Sequence, residues 1–254
     1  MIIIKSQHEI DIMRKAGEIT AITLEKIREV ISPGVTTGDL DRIAEEYIRS
    51  RGAIPSFKGY AGMPGAMKFP ASICASVNNE VVHGIPGPRR LEEGDIISID
   101  VGVFFNGYHG DAARTYPVGK ISEKAEKLIR VTEESFFEGI KHAVEGKRIV
   151  DISGAIQRYV EKHGFSVVRD YVGHGIGREM HEAPQVPNYR TRERGPRLQK
   201  GITLAVEPMV NEGSYKVKIL DNKWTVVTAD GSLSAHYENT IVITEGEPKI
   251  LTIL

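Results

Sequence analysis

Apolar residues recur at helical spacing near the start of the chain and predict two helices there. The segment Ser6–Glu9 has the capping-box form that opens a helix, and apolar side chains then stay on one helical face as far as Ile31. Ser32-Pro33-Gly34 would end this helix. Thr37 is expected to cap a second helix, which would end at Gly52.

A second pair of helices is predicted further along the chain. Ser122 is expected to open one helix, and Gly146 would precede the other. Gly34 and Gly146 are 112 positions apart, and the acidic and apolar residues of the helices that follow them match at the same offset. A repeat of this length is too long for a solenoid. It indicates a single domain of two fused α/β halves, about residues 1–118 and 119–254.

The segments between the helix pairs have the composition of strands. Ile96–Phe105 is β-branched and aromatic, Asn106-Gly107 is a strong hairpin turn, and Tyr108–Val118 would return beside the first strand. Ile202–Val210 and Tyr237–Thr244 are predicted to be the equivalent strands of the second half. The predicted fold class is therefore α/β (α+β), with mostly antiparallel sheet and the helices outside.

Histidines and acids are repeated in the same order in both halves. The first half contributes His83, Asp100 and Asp111, and the second contributes His174, Glu207 and Glu238. Asp100 and Glu207 each interrupt an otherwise apolar strand, where a charge is costly unless it is paired. A single acid of this kind would more often be explained by a separate salt bridge or a solvent-facing position. Four at repeated positions indicate a shared site, where their repulsion requires cations.

The short turn of the first hairpin determines where its two acids point. With Phe105 opposite Tyr108, Asp111 lies opposite Gly102, and Asp100 is two residues along on the same face. Such diagonal neighbours are about 7–8 Å apart at the backbone, so their side chains can reach a common cation. A register shift of one residue would send the two acids to opposite faces.

One histidine with four carboxylates favours a pair of Mn²⁺, Fe²⁺, Co²⁺ or Zn²⁺ ions bridged by shared carboxylates. Two such ions about 3.5–4 Å apart can hold a bridging water, lower its pKa toward about 7 and polarise a carbonyl group. This is the equipment for hydrolysis of an amide.

The histidines receive different interpretations. His174 lies among glycines that permit close approach to a ligand, and we predict it to be a metal ligand. His83 is interpreted as a substrate contact, because its half already supplies two acids, and His181 could donate to a carbonyl oxygen. His109 and His236 each precede an acid by two residues, which allows support of a ligand, although ordinary packing is the favoured interpretation.

Bulk properties restrict the function classes. The chain has 254 residues, a formal net charge of −1 and 41% hydrophobic residues, so no global field recruits nucleic acid or an anionic membrane. Cys74 is the only cysteine, which excludes an internal disulfide and a cysteine zinc site. No apolar run approaches the roughly 20 residues of a membrane-spanning helix. We expect a cytoplasmic protein.

Several separated motifs carry a resemblance to a known family. They are Asn78-Asn79-Glu80-Val81-Val82-His83-Gly84-Ile85-Pro86, Asp100-Val101-Gly102, His109-Gly110-Asp111, Gly173-His174-Gly175-Ile176-Gly177, Glu207-Pro208 and Ser232–Thr240. From about residue 3 to the end, the chain resembles the type I methionine aminopeptidases. The resemblance implies a pita-bread fold of two pseudo-symmetric halves. It also implies removal of the initiator methionine from nascent polypeptides with a small second residue, by a hydroxide held between two metals.

The resemblance also implies roles for individual residues. Asp100 would chelate one metal, Asp111 and Glu238 would bridge both, and His174 and Glu207 would complete the other metal's ligands. Glu207 is further expected to take the proton of the attacking water, His83 to lie near the substrate amide nitrogen, and His181 to stabilise the oxyanion.

A methionine pocket is implied as well, because a thioether gains from contact with aromatic rings and sulfur. Its expected lining is Tyr60, Phe69, Cys74, Met180 and Trp224, although ordinary core packing would explain each of these almost as well. An insertion within Ala61–Lys68 lengthens the loop before Cys74 and departs from the family pattern.

Two alternatives remain open at this point. One is a proline-specific (Xaa-Pro) peptidase of the same fold, and the other is a non-catalytic pita-bread binding protein. The family leads us to expect a monomer that works on nascent chains, with the ribosome as a candidate partner.

Overall fold

The computed structural model describes residues 1–61 and 67–254, and within them four helices form two pairs. The first pair is α1 (Gln7–Arg28) and α2 (Thr37–Ser50), and the second is α3 (Glu123–Ile140) and α4 (Ile149–Lys162). The strands are β1 (Ile54–Pro55), β2 (Cys74–Val77), β3 (Glu80–Val82), β4 (Ile96–Phe105), β5 (Tyr108–Pro117), β6 (Ser166–Val167), β7 (Gly173–Gly175), β8 (Glu182–Val186), β9 (Thr203–Val206), β10 (Met209–Asn211), β11 (Val217–Ile219), β12 (Val226–Thr228), β13 (Ser234–His236), β14 (Asn239–Val242) and β15 (Lys249–Ile250).

The strands of the described ranges pair antiparallel in four sheets. One sheet contains β1, β2 and β5 around the long strand β4, and a five-stranded sheet has the order β15-β14-β9-β7-β8. Two three-stranded sheets have the orders β13-β10-β6 and β11-β12-β3. The α/β class with mostly antiparallel sheet is confirmed. No helix in residues 1–61 or 67–254 combines the length and apolar character needed to cross a membrane.

Side-chain caps begin the first three helices. The predicted capping box of α1 is present, with the Glu9 amide donating to Ser6 Oγ and the Ser6 amide donating to the Glu9 carboxylate. The hydroxyl of Ser122 accepts from the Ala125 amide at 3.2 Å and caps α3 as predicted.

The prediction that Thr37 caps α2 is wrong, because the cap is Thr36. The Thr36 hydroxyl accepts from the Asp39 amide at 3.1 Å, and the Asp39 carboxylate accepts from the Thr36 amide at 3.2 Å. This reciprocal pair requires the acid three residues after the cap. Thr37 is the first residue of the helix, and its hydroxyl instead bonds to the backbone of Gly87.

The hairpin of the first half has the predicted register. Phe105 lies opposite Tyr108, Gly102 opposite Asp111, and Asp100 opposite Ala113. The turn residues Asn106 and Gly107 both have positive φ, 47° and 89°, as a two-residue hairpin turn of this type requires. The two carboxylates therefore lie on one face of the hairpin.

The second half does not repeat this continuous hairpin, so the predicted strands Ile202–Val210 and Tyr237–Thr244 are corrected. The first is divided into β9 and β10 and the second into β13 and β14, with residues 207–208 and 237–238 outside the ladder. Pro208 has no amide hydrogen to donate to a ladder. The amide of Glu238 is used elsewhere, since it donates to the Ala113 carbonyl at 2.9 Å. Glu207 and Glu238 thus project from breaks in strands.

Strand β5 joins the two halves of the molecule. Ala113 and Glu238 exchange two backbone hydrogen bonds, with nitrogen–oxygen distances of 2.9 and 3.3 Å. On one side of this pair the Thr240 hydroxyl bonds to the backbone of Asp111, and on the other the Thr115 hydroxyl bonds to the backbone of His236. The acids of both halves therefore meet along one seam.

Each half has its own hydrophobic core beneath its helix pair. In the first half, α1 packs on β4 and β5, and Ile27 of α1 and Leu40 of α2 share a buried cluster with Ile99 of β4. In the second half, α3 and α4 bury Phe136 and Ile152 against the strands. Each such side chain contributes about 1.5–3 kcal/mol on burial, so the two cores stabilise the sheets on both sides of the seam.

Candidate metal centre and active site

The predicted acids and histidines line one cavity between the halves, with a volume of about 420 Å³. Asp100 and Asp111 come from β4 and β5, His174 from β7, Glu207 from the break after β9, and Glu238 from the break before β14. The complete lining among described residues is Phe57, Tyr60, Ala61, Phe69, Cys74, Val82, His83, Asp100, Asp111, Asp170, Tyr171, Val172, His174, His181, Glu207, Met209, Trp224, His236 and Glu238.

The possible ligand atoms form two overlapping groups. In the first group, atoms of Asp111, His174 and Glu238 all lie within 4.8 Å of one another, and in the second, atoms of Asp100, His236 and Glu238 do so. Glu207 adjoins the first group, because its Oε1 is 3.5 Å from His174 Nε2. Glu238 belongs to both groups and is therefore placed to link them.

Burial, and then repulsion between neighbours, makes ionisation of the four carboxyl groups unfavourable. Burial raises the pKa of Asp100 from 3.8 to about 7. Burial also raises the pKa values of Asp111, Glu207 and Glu238 well above their ordinary range, and repulsion among the neighbouring carboxylates adds to this effect. Ionised together, these groups require positive charge close by.

His174 is a neutral imidazole whose Nε2 faces the acids. Burial, followed by the neighbouring His181, lowers the pKa of His174 to about 3. Its Nδ1 is 2.9 Å from the carbonyl oxygen of Gly175, which assigns the proton to Nδ1 and leaves the Nε2 lone pair free. This is the protonation state in which histidine binds a metal.

Glycines allow strand β7 to carry this histidine into the interior. A Cβ on Gly173 would lie 2.4 Å from the Ala205 carbonyl oxygen, and one on Gly175 would lie 2.3 Å from the Ala183 carbonyl oxygen. Because such contacts are impossible, only glycine lets β7 pack between its two neighbouring strands.

The donor set fits a pair of divalent cations. Asp100 Oδ1, Asp111 Oδ1, Glu238 Oε1 and His236 Nε2 are buried and have no hydrogen-bond partner among the described residues. Each such atom costs about 1–3 kcal/mol when it is left unsatisfied. Cations bound among mixed oxygen and nitrogen donors would satisfy these atoms and neutralise the carboxylates.

His83 and His181 stand at the same cavity. His83 has a positive φ of 59°, and its ring meets Tyr171 and Trp224 edge to face. Burial, followed by the nearby His181, lowers the pKa of His83 to about 4. Partial burial also lowers the pKa of His181. Its ring centroid is 4.2 Å from that of His174. The structure thus brings together all seven residues predicted for chemistry.

Four of the five predicted pocket residues line the cavity beside the acids. Phe69 and Trp224 make an edge-to-face contact with centroids 5.1 Å apart, and the Tyr60 hydroxyl is 2.7 Å from His181 Nδ1. Cys74 is buried, and burial together with the nearby carboxylates raises the pKa of its thiol. It is therefore a protonated, apolar wall rather than a nucleophile.

Met180 is the exception, and its predicted place in the pocket is corrected. Its side chain packs in a core cluster with Met13, Tyr108 and Ile176 and does not line the cavity. The segment before His181 has no strand or helix period to tell which way Met180 points. Of the predicted insertion within Ala61–Lys68, residues 62–66 lie outside the described part of the chain.

Several lining residues were not predicted from the sequence. Met209 is the first residue of β10, just past the break at Glu207 and Pro208, so regular strand spacing did not indicate it. Phe57 and Tyr171 reach the cavity through long-range packing and have no local signal. His236 also lines the cavity, so ordinary packing does not account for its position. His109 does not line the cavity and contacts Ser56 and Phe104.

Buried carboxylates, a neutral imidazole and an aromatic-walled cavity together define a metal-dependent hydrolase site. Residues 11–245 match metallopeptidase family M24. The chain is 61% identical to a methionine aminopeptidase of Clostridium perfringens, with both proteins covered completely. It also resembles the crystal structure of a methionine aminopeptidase from Thermotoga maritima, at 48% identity and a TM-score of 0.96 over both full chains. The chain therefore belongs to metallopeptidase family M24 and, within it, to the methionine aminopeptidases.

This membership confirms the family and the pita-bread fold predicted from the motifs. A prolidase from Pyrococcus furiosus aligns at 24% identity, with a TM-score of 0.80 over 99% of this chain and 66% of the prolidase. That likeness concerns the fold alone.

Proposed function

We propose that this protein removes the N-terminal methionine from new polypeptide chains when the second residue is small. The observation that carries the proposal is that the acid cluster shares one cavity with aromatic and apolar side chains. The cluster supplies hydrolytic groups, and the walls suit a methionine side chain. The 61% identity to a methionine aminopeptidase over the full length of both proteins supports the same substrate.

Two divalent ions would be held by five side chains in this proposal. Asp100 would serve one ion, His174 and Glu207 the other, and Asp111 and Glu238 both. Glu238 belongs to both groups of ligand atoms, and the Asp111 carboxyl group, a member of one group, contacts that of Asp100 in the other. When bound, the ions would supply Lewis-acid activation of the carbonyl and a water of lowered pKa. Cobalt, manganese, iron and zinc all suit these donors.

The remaining chemistry depends on the chain's own proton donors and acceptors. Glu207 is placed to accept the proton of the attacking water, since its carboxylate borders the cluster and reaches His174. His181 would donate from Nε2 to the developing oxyanion, because its Nδ1 is engaged by the Tyr60 hydroxyl. His83, held at positive φ and lining the same cavity, would contact the substrate amide nitrogen.

The methionine side chain would lie between Phe69, Cys74 and Trp224, with Tyr60 at the entrance. A thioether gains about 0.3–1.5 kcal/mol from each aromatic contact. The protonated Cys74 thiol gives it an apolar partner. Preference for a small second residue would require that the cavity leave little room beyond the methionine side chain.

We further propose that the halves 1–118 and 119–254 act as one catalytic domain, because the ligand set is drawn from both. The protein would work as a monomer in the cytoplasm on the N-terminal peptides of nascent chains, where the ribosome is a candidate partner.

A peptide assay tests the proposal. Protein prepared without metal is loaded with Co²⁺ or Mn²⁺ and given Met-Ala-Ser, Met-Trp-Ser and Ala-Pro-Ala peptides. We expect release of methionine from Met-Ala-Ser only. Faster cleavage of the Xaa-Pro peptide would indicate a proline-specific peptidase, and no cleavage by protein shown to contain metal would indicate a binding protein.

A further inference from the structure

His236 is a buried histidine whose ring nitrogen faces the acid cluster without a partner. It is the last residue of β13 and is 2% exposed. Its Nε2 has no hydrogen-bond partner among the described residues and lies 3.8 Å from Glu238 Oε2, too far for a hydrogen bond. A buried polar nitrogen in this state calls for an explanation.

The backbone of His236 is held at the seam between the halves. Its amide donates to Thr115 Oγ1 at 2.8 Å, and Thr115 Oγ1 donates to its carbonyl oxygen at 2.9 Å. The Ser98 hydroxyl, 2.8 Å from Thr115 Oγ1, completes this arrangement. The seam therefore fixes the point from which the imidazole projects toward Asp100 and Glu238.

We propose that His236 Nε2 is a ligand of the ion held by Asp100 and Glu238. The three residues offer ligand atoms within 4.8 Å of one another, and each contributes a buried atom that lacks a partner. The inference rests on the dinuclear centre of the proposed function and adds a residue to it. Each ion then has one imidazole, from His174 or from His236.

This assignment changes the chemistry of the second ion. Without His236, its protein donors would all be carboxylate oxygens, the set that suits Mn²⁺ or Mg²⁺. An added imidazole favours ions further along the Irving–Williams order, such as Co²⁺ and Zn²⁺. Loss of His236 should therefore weaken Co²⁺ binding more than Mn²⁺ binding.

His109 provides a matched control within the same chain. It also precedes an acid by two residues on a strand at the seam, but its Nδ1 is 2.9 Å from Ser56 Oγ and its ring packs on Phe104. It does not line the cavity. A histidine two residues before an acid is therefore not enough to predict a metal ligand. The surroundings of the ring distinguish His236 from His109.

The test is cobalt binding and X-ray absorption on protein freed of metal. Calorimetric titration with Co²⁺ and with Mn²⁺ is compared for the unchanged protein, His236→Gln and His109→Gln. We expect the second Co²⁺ to bind about tenfold or more weakly in His236→Gln, with a smaller change for Mn²⁺ and no change in His109→Gln.

X-ray absorption of the unchanged protein should give about one imidazole per cobalt, since two histidines would serve two ions. A value of about one half imidazole per cobalt in the unchanged protein would overturn the inference. Unchanged Co²⁺ affinity in His236→Gln would also overturn it. Binding of a single ion by the unchanged protein would instead contradict the dinuclear centre itself, and this inference with it.

Discussion

A buried ion pair anchors the loop that carries His181. Lys5 Nζ lies 2.5 Å from Glu182 Oε2, and the two side chains are 2% and 5% exposed. The other carboxylate oxygen of Glu182 accepts from the amide of Arg178 at 2.9 Å. Because Glu182 follows His181 directly, the pair joins the N-terminal segment to one of the proposed catalytic groups.

The burial of this ion pair indicates how much it contributes to the unfolding free energy. Removing one partner of a buried pair leaves an uncompensated charge and costs about 3–5 kcal/mol, whereas replacing both can be nearly neutral. Lys5→Met leaves the Glu182 carboxylate with backbone amides only. We therefore expect each single variant, Lys5→Met or Glu182→Gln, to lose about 3–5 kcal/mol of unfolding free energy. The double variant should recover most of it.

Urea unfolding of the metal-free protein at pH 7 measures these free energies in a double-mutant cycle. The single variants should also turn over more slowly when metal-loaded, because the loop with His181 is released. Lys200→Met is the control, since Lys200 pairs with Glu245 at the surface and is 60% exposed. It should leave the unfolding free energy nearly unchanged, because solvent screens an exposed pair. If Lys5→Met behaves like Lys200→Met, or if the two single effects simply add, the buried pair does not stabilise the fold as a unit.

Three further predictions concern the acid cluster and the cavity. Asp111→Asn should bind less metal and lose turnover while its near-ultraviolet circular dichroism is unchanged; full activity would contradict the bridging role. In the metal-free protein, the raised pKa of Asp100 means that the folded state holds a proton that the unfolded state releases. The contribution of Asp100 to stability should therefore be fully present below about pH 4 and be lost as the pH rises through about 7, and it amounts to about 4 kcal/mol. Urea unfolding across this range in chelator measures the fall, which Asp100→Asn or added metal should reduce; a flat profile would be evidence against it. Tyr60→Phe removes the hydroxyl on His181 Nδ1 and should lower kcat about tenfold, the equivalent of one hydrogen bond, with little change in KM. An unchanged kcat in steady-state kinetics would show that the contact does not orient the ring.

The first hairpin could be predicted in detail because its determinants are local. Asn106-Gly107 selects a two-residue turn, the turn sets the register, and the register puts Asp100 and Asp111 on one face. The helices were predictable for the same reason, since caps and apolar spacing are written in neighbouring residues. The one-residue error at Thr37 arose because adjacent threonines compete for one cap, and Asp39 decides between them.

The second half was harder to predict because its site depends on departures from regular structure. Glu207 and Glu238 project where the ladders stop, and period-two spacing no longer holds across those breaks. Pro208 was a visible sign of the first break. Nothing in the sequence marks the second, since the Glu238 amide pairs with Ala113, 125 residues away.

Side-chain direction in irregular segments was the least predictable property. Met180 turns into the core, while Tyr171 reaches the cavity from the same region of chain. His109 and His236 share a sequence context but have different surroundings. These outcomes depend on contacts between distant segments, for which periodicity contains no information.

The proposed function requires two metal ions, held at the seam by side chains from both halves. Anomalous diffraction from crystals of the cobalt-loaded protein would locate these ions. We expect two cobalt peaks about 3.5–4 Å apart, one contacted by His174 and Glu207, the other by Asp100, with Asp111 and Glu238 between them. A single peak, or cobalt bound only outside this cavity, would contradict the proposed function.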